Sequence, residues 1–259
     1  MTTGSRLLPA IALFSFILPA SAASKVLFPA PLHITREVVS PVSKARSVVE
    51  EYCSGNRVVS VSGSRTAIVD YDKNEMTAID FAAGTYSITK FEEIAKANQG
   101  IGGGMKAAAL AGDAREWKIE PRGGSVVASR PGETIEAERK VSHLRQSIRV
   151  TADHQLALSR GAVEALLGIS YPNAPDAAAG VVLDALRKDA DYRLPLEHIV
   201  RFDLDGEIVE SRSVVLRVGS ELAPPDVLAI PPGAKLVETG AVAARKQLDE
   251  LEHPTSSRH

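Results

Sequence analysis

Residues 57–97 change hydrophobic period once, and that change constrains the fold more than any other feature of the chain. Residues 57–62, 66–71, 75–80 and 85–89 are four short runs rich in β-branched, aromatic and small polar residues. Turn chemistry separates them. Asp72-Lys73-Asn74 brings side chains that bond their own backbone, and Gly84 ends Phe81-Ala82-Ala83-Gly84, where a hairpin loop with a bulge needs a positive φ. Period-two runs with a turn about every ten residues specify an antiparallel meander. After Lys90 the period becomes helical through Phe91, Ile94 and Ala95, with Glu92 and Glu93 in the first turn, where the helix dipole favours them.

The flanks extend the same alternation. Residues 32–39 form a first strand ended by Ser40-Pro41, and residues 43–52 fit a short helix or a strand equally. In 115–120 Trp117 and Ile119 sit between charges and are expected to face the core, with Arg115 at its margin. Arg122-Gly123-Gly124 and Arg130-Pro131-Gly132 read as turns around a strand at 125–129. Residues 134–150 are polar and ambiguous, with a strand at 147–151. Residues 156–167 switch towards helical spacing, and Asp176 is a candidate N-cap for a helix over 177–188. Residues 192–203 alternate, Asp205-Gly206 is a hairpin turn and 208–218 return as the partner strand. Pro224-Pro225 and Pro231-Pro232 bracket 227–230, Leu236-Val237 end the fold, and the polar tail 239–259 is expected to be disordered.

The N-terminus carries an address. Arg6 precedes an apolar run at 7–18, and Ala20-Ser21-Ala22 is a small-residue cleavage site, so residues 1–22 read as a cleavable secretory signal; an uncleaved N-terminal anchor is the rival reading. No twin arginine precedes the run and no cysteine follows it, which disfavours the twin-arginine and lipoprotein routes. No later stretch is apolar for long enough to span a bilayer, so no stable transmembrane anchor is expected after cleavage, and the product is periplasmic or secreted. The 259 residues, 44% hydrophobic, suffice for a full core, and a formal net charge of −2 argues against a nucleic-acid binder. Cys53 is the one cysteine, so no internal disulfide forms and the thiol is expected to be buried and inert.

The succession RTAIVDYDKNEMTAIDFAAGTYSITKFEEI resembles a family of exported bacterial domains of unknown function with a LolA/LppX-like fold, through Ile68-Val69-Asp70-Tyr71, Ile79-Asp80 and Thr85-Tyr86-Ser87. Leu228-Ala229-Ile230-Pro231-Pro232-Gly233-Ala234-Lys235 resembles the family's closing element. The resemblance covers both ends of the mature chain but not its middle. It implies an α+β fold: a strongly curved antiparallel sheet, a half-barrel, with helices packed in its concave face. Residues 23–238 then form one domain with a Gly-rich connector at 98–113. A lipid or acyl-chain ligand is implied by the same resemblance, and domains of this fold also occur in envelope regulators that dock another protein.

Catalytic and metal motifs are weak. The six histidines form no H-E-x-x-H, and a zinc signature is absent. The Gly-rich stretch 98–113 follows a helix, and Lys106 precedes Ala107, so it lacks the order of a phosphate-binding loop. Ser87-Ile88-Thr89-Lys90 matches S-x-x-K without its companion motifs, and no G-x-S-x-G elbow exists. Asp203 to Glu207 fits a hairpin better than a calcium loop, His198 fits a core or margin position, and Asp153-His154 fits a turn. No catalytic residue, cofactor or metal is expected. Tyr71, Tyr86, Trp117, Leu166 and Leu186 are the candidate ligand-binding residues: they line a cleft if the concave side is open, and are ordinary core if it is filled.

Overall fold

The computed structural model describes residues 26–40, 44–94, 117–141, 143–170, 176–188 and 191–238. The secretory signal, the Gly-rich connector, the polar tail, Arg115 and the end of the helix expected after Lys90 lie outside the described residues.

Thirteen strands form one open, curved sheet. They are β1 (Phe28–Val39), β2 (Arg46–Gly55), β3 (Arg57–Ser62), β4 (Arg65–Asp70), β5 (Glu75–Asp80), β6 (Thr85–Lys90), β7 (Lys118–Val127), β8 (Arg130–Val141), β9 (Leu144–Leu158), β10 (Arg187–Lys188), β11 (Asp191–Leu204), β12 (Glu207–Gly219) and β13 (Lys235–Leu236). The order is β13-β6-β5-β4-β3-β2-β1-β12-β11-β9-β8-β7, with β10 on β11. The meander of β3 to β6 forms where the sequence places it. Asp70 Oδ1 accepts the Lys73 N–H at 3.1 Å, Asp80 Oδ1 accepts the Ala83 N–H at 3.0 Å, and Asn74 and Gly84 take φ of 51° and 61°. The ambiguous 43–52 stretch resolves as the strand β2, because β1 and β3 pair with it on either side.

Four expectations fail for identifiable reasons. The sheet is mixed, not wholly antiparallel, because β13 pairs parallel with β6. Arg122-Gly123-Gly124 is no turn: β7 runs through it, and a register shift between Pro121 and Gly123 absorbs the glycines. The β7–β8 turn falls instead at Ala128 and Ser129, both at positive φ, and Arg130-Pro131-Gly132 opens β8. A β-carbon at Gly132 would come within 2.7 Å of the Ala152 carbonyl oxygen, so this glycine serves close strand packing. Asp153 likewise lies inside β9, buried, with its carboxylate 2.6 Å from Arg130 Nη2.

Helices are few among the described residues: α1 (Arg160–Ser170), α2 (Asp176–Leu186), the single turn α3 (Pro225–Leu228) and helical residues 91–94. They do not make a continuous layer over the sheet; α1 packs on β11, and α2 on β9 and β11. Two apolar clusters meet at α1. Ala162, Ala165 and Leu166 enter the first, with Ile34, Cys53, Val58, Val69, Met76, Phe91 and Leu196. Val163 and Leu167 enter the second, with Trp117, Ile148, Val150, Val182 and Leu186. Cys53 is buried, and burial pushes its thiol well above the usual range, as an inert core cysteine requires. His198 is buried in β11, as expected of a core histidine. Ile119 is 48% exposed, against expectation, because β7 is the outer strand and reaches the core only near its two ends, through Trp117 just before it and Val127 at its close.

Candidate functional site

Register assigns each side chain to a face, since directly opposed residues of an antiparallel ladder share one. Cys53, Val58, Val69, Met76 and Thr89 oppose one another across β2 to β6 and point to the first apolar cluster. His33, Tyr52, Val59, Ile68, Thr77 and Ile88 form the parallel row on the other face.

The five candidate residues do not converge. Tyr71 packs against the first cluster, edge-on to Phe91 at 5.7 Å between ring centroids, in the cluster that also holds Leu166. Burial pushes the Tyr71 hydroxyl far up. Trp117 and Leu186 share the second cluster, and the Arg139 guanidinium lies 4.9 Å from the Trp117 ring centroid. Tyr86 shares the face of Ile88 and pairs with Leu236 of β13, on the opposite side from the other four. Parity between strands decides this, and alternation within one strand does not reveal it.

The second face carries features that the sequence reading missed. After β12 the chain returns as β13 on β6, so residues 220–234 cross the six strands β1 to β6 as a strap. Between strap and sheet runs an open groove of about 420 Å³, lined from the sheet side by Tyr52, Val59, Arg57 and Asp70 and from the strap by Glu221, Leu222 and Leu228. Charged groups here are mutually engaged. Arg57 Nη2 donates to Asp70 Oδ2 at 2.8 Å, and Asn56 Nδ2 donates to Asp72 Oδ1 at 2.8 Å. Burial raises Asp70, but the Arg57 and Lys73 hydrogen bonds and charges outweigh it and hold this carboxyl below its usual range. His33 lies between Glu50 and Glu221 and stacks on Tyr52, with 4.3 Å between ring centroids and 7° between planes. The long-range pairing of β1 with β12, beside the β1–β2 hairpin, assembles this group; no local motif announces it.

Among the described residues no group of three or more histidine, cysteine and acidic side chains is arranged to hold a metal ion. No helix among them is long and apolar enough to cross a membrane.

No protein-family model matches the chain, and no curated protein matches it. Solved structures similar to it include PNGF-II, at 9% identity and TM-score 0.37 over 85% of this chain and 33% of that one. MucB is similar at 14% identity and TM-score 0.36 over 82% of this chain and 60% of that one. The Mycobacterium tuberculosis lipoprotein LppX is similar at 7% identity and TM-score 0.35 over 75% of this chain and 88% of that one. The chain thus spans a third of PNGF-II and less than two thirds of MucB.

Proposed function

We propose that this chain is an exported, non-enzymatic binding protein for a lipid or another hydrophobic component of the cell envelope. The signal-like N-terminus supports export. The observation that supports the ligand class is the mismatch between sheet and helices. At about 4.8 Å per strand the twelve strands of the main path are about 55 Å broad. Two helices of eleven residues each are about 16 Å long and about 10 Å across. Apolar side chains continue along one face of that sheet from β5 to β8 and are buried there among side chains of α1, α2 and residues 91–94, so a ligand on this face takes a place that the core now fills. Tyr71, Trp117, Leu166 and Leu186 are the residues assigned to this ligand face, and Tyr86, on the opposite face, is not. Leu166 and Leu186 are fully enclosed, so an acyl chain entering beside them displaces α1 or α2 from the sheet.

The test is native mass spectrometry of the protein purified from its envelope without detergent. A discrete added mass that dissociates as a lipid, reduced in Trp117→Ala, is the expected result. A bare chain mass with no lipid in the solvent extract overturns the reading. A second reading, docking of another envelope protein, has its own support. Leu222 and Leu236 are each 65% exposed, and Ile88, Ile230 and Val237 are exposed with them along the strap and the adjoining edge strand. Recovery of a discrete protein partner, lost on Leu222→Asp, would favour it.

A further inference from the structure

His33 is 6% exposed, yet both of its ring nitrogens face carboxylates. Nε2 lies 2.5 Å from Glu50 Oε2, and Nδ1 lies 3.0 Å from Glu221 Oε2. A neutral imidazole has one N–H and one lone pair, and an ionised carboxylate only accepts. Both contacts are hydrogen bonds only when the ring is an imidazolium. Losing its proton leaves one carboxylate oxygen facing a nitrogen lone pair.

The two carboxylates differ in what else holds them. Glu50 belongs to β2 and also accepts from Thr35 Oγ1 at 2.8 Å. Glu221 is the root of the strap, and its other side-chain partner is Arg217 of β12. Its carboxyl is held below the usual range, first by its own backbone N–H and then by His33. The groups facing His33 are therefore Glu50 and Tyr52 from β2, Glu221 from the strap and, behind Glu221, Arg217 from β12. Gly219 opposes His33 in the β1–β12 ladder, and a β-carbon there would overlap the Glu221 carboxylate. The absent side chain at 219 gives Glu221 its path to the ring.

We propose that His33, Glu221 and Gly219 form a pH-sensitive clasp that closes the strap over the second face of the sheet. With His33 protonated, the strap root is pinned and Glu221, Leu222 and Leu228 wall the groove. Once the ring gives up its second proton, the remaining one stays with the better-anchored Glu50, and Glu221 is released. The strap then depends on its far end, where the Lys235 N–H donates to the Gly84 carbonyl at 2.9 Å and the Val237 N–H to that of Tyr86 at 2.8 Å. Opening this wall widens the groove in response to external pH. The clasp is independent of the lipid reading, because it acts on the opposite face from the apolar clusters.

The test is amide hydrogen exchange of the full chain by mass spectrometry at about pH 5.5 and about pH 8.5, on either side of the histidine range, with rates corrected for intrinsic exchange. Peptides spanning 220–238 are expected to lose about tenfold in protection at the higher pH, the size of one charge-assisted hydrogen bond, while those of β3 to β5 do not change. In Glu221→Gln the amide pairs with either form of the ring, so the pH response disappears. In Gly219→Ala the Glu221 carboxylate is displaced from the ring, and the strap shows the lower, high-pH protection at both values. Equal strap protection at the two pH values in the unmodified protein overturns the clasp. So does a Glu221→Gln variant that keeps the pH response, or a His33 ring whose ¹⁵N shifts show one protonation state throughout. Should Gly219→Ala not fold, the Glu221→Gln comparison decides alone.

Discussion

Arg36 and Glu51 are 1% and 2% exposed, with 2.6 Å between Nε and Oε2. They face the first apolar cluster, where the desolvation cost of each charge is several kcal/mol and is offset only by close pairing. Arg36 Nη1 also donates to the Pro195 carbonyl at 3.0 Å, tying β1 to β11. Its Nη2 has no partner among the described residues. Glu51→Ala strands this guanidinium and is expected to cost about 3–5 kcal/mol in urea unfolding. The double variant Arg36→Met/Glu51→Leu should recover most of that loss, because it removes both charges while keeping volume. Recovery would show that the pair fixes register more than it adds stability. Neither residue is legible as buried from the sequence, where both are charged side chains in short stretches of strand-like character. Gly132 was misread for a related reason: a glycine's role depends on what approaches it, and that strand is twenty residues away or nearly so.

At the scale of elements, local chemistry was legible wherever a turn or a period carried its own signal. Asp205-Gly206 forms its hairpin at φ of 51° and 93°, and Gly84 takes the positive φ required of it. Ala128-Ser129 adopts the same kind of turn without the residues that advertise it, so turn chemistry alone points to the flanking glycines instead of to the β7–β8 hairpin. The hydrophobic spacing puts the switch from strand to helix at 156, too early, since β9 continues to Leu158. Ser159 marks the true boundary: its Oγ accepts the Ala162 N–H at 3.1 Å, as an N-cap does. Ser159→Ala should therefore cost about 1 kcal/mol, measured by urea unfolding, whereas Ser159→Asp should be close to neutral because it keeps the acceptor and adds a charge favoured by the helix dipole.

At the scale of the whole molecule, the pairings that set the site were the least legible. β1 meets β12 across most of the chain, and the strap then recrosses six strands; no window of sequence contains either relation. Such contacts also determine how the molecule unfolds. The sheet is continuous, and α1 places Ala162, Ala165 and Leu166 in one apolar cluster and Val163 and Leu167 in the other. Loss of α1 uncovers both clusters together, so they are expected to melt as one cooperative unit although they lie at different ends of the sheet. Trp117, the single tryptophan, reports the second cluster by fluorescence, while amide exchange in β3 to β5 reports the first. Their urea midpoints should coincide. Leu166→Ala should lower both midpoints together, by the equivalent of about 2–5 kcal/mol. Two separate midpoints, or a Leu166→Ala effect confined to the exchange of β3 to β5, would mean that α1 serves one cluster and that the sheet is divided into two independently stable halves.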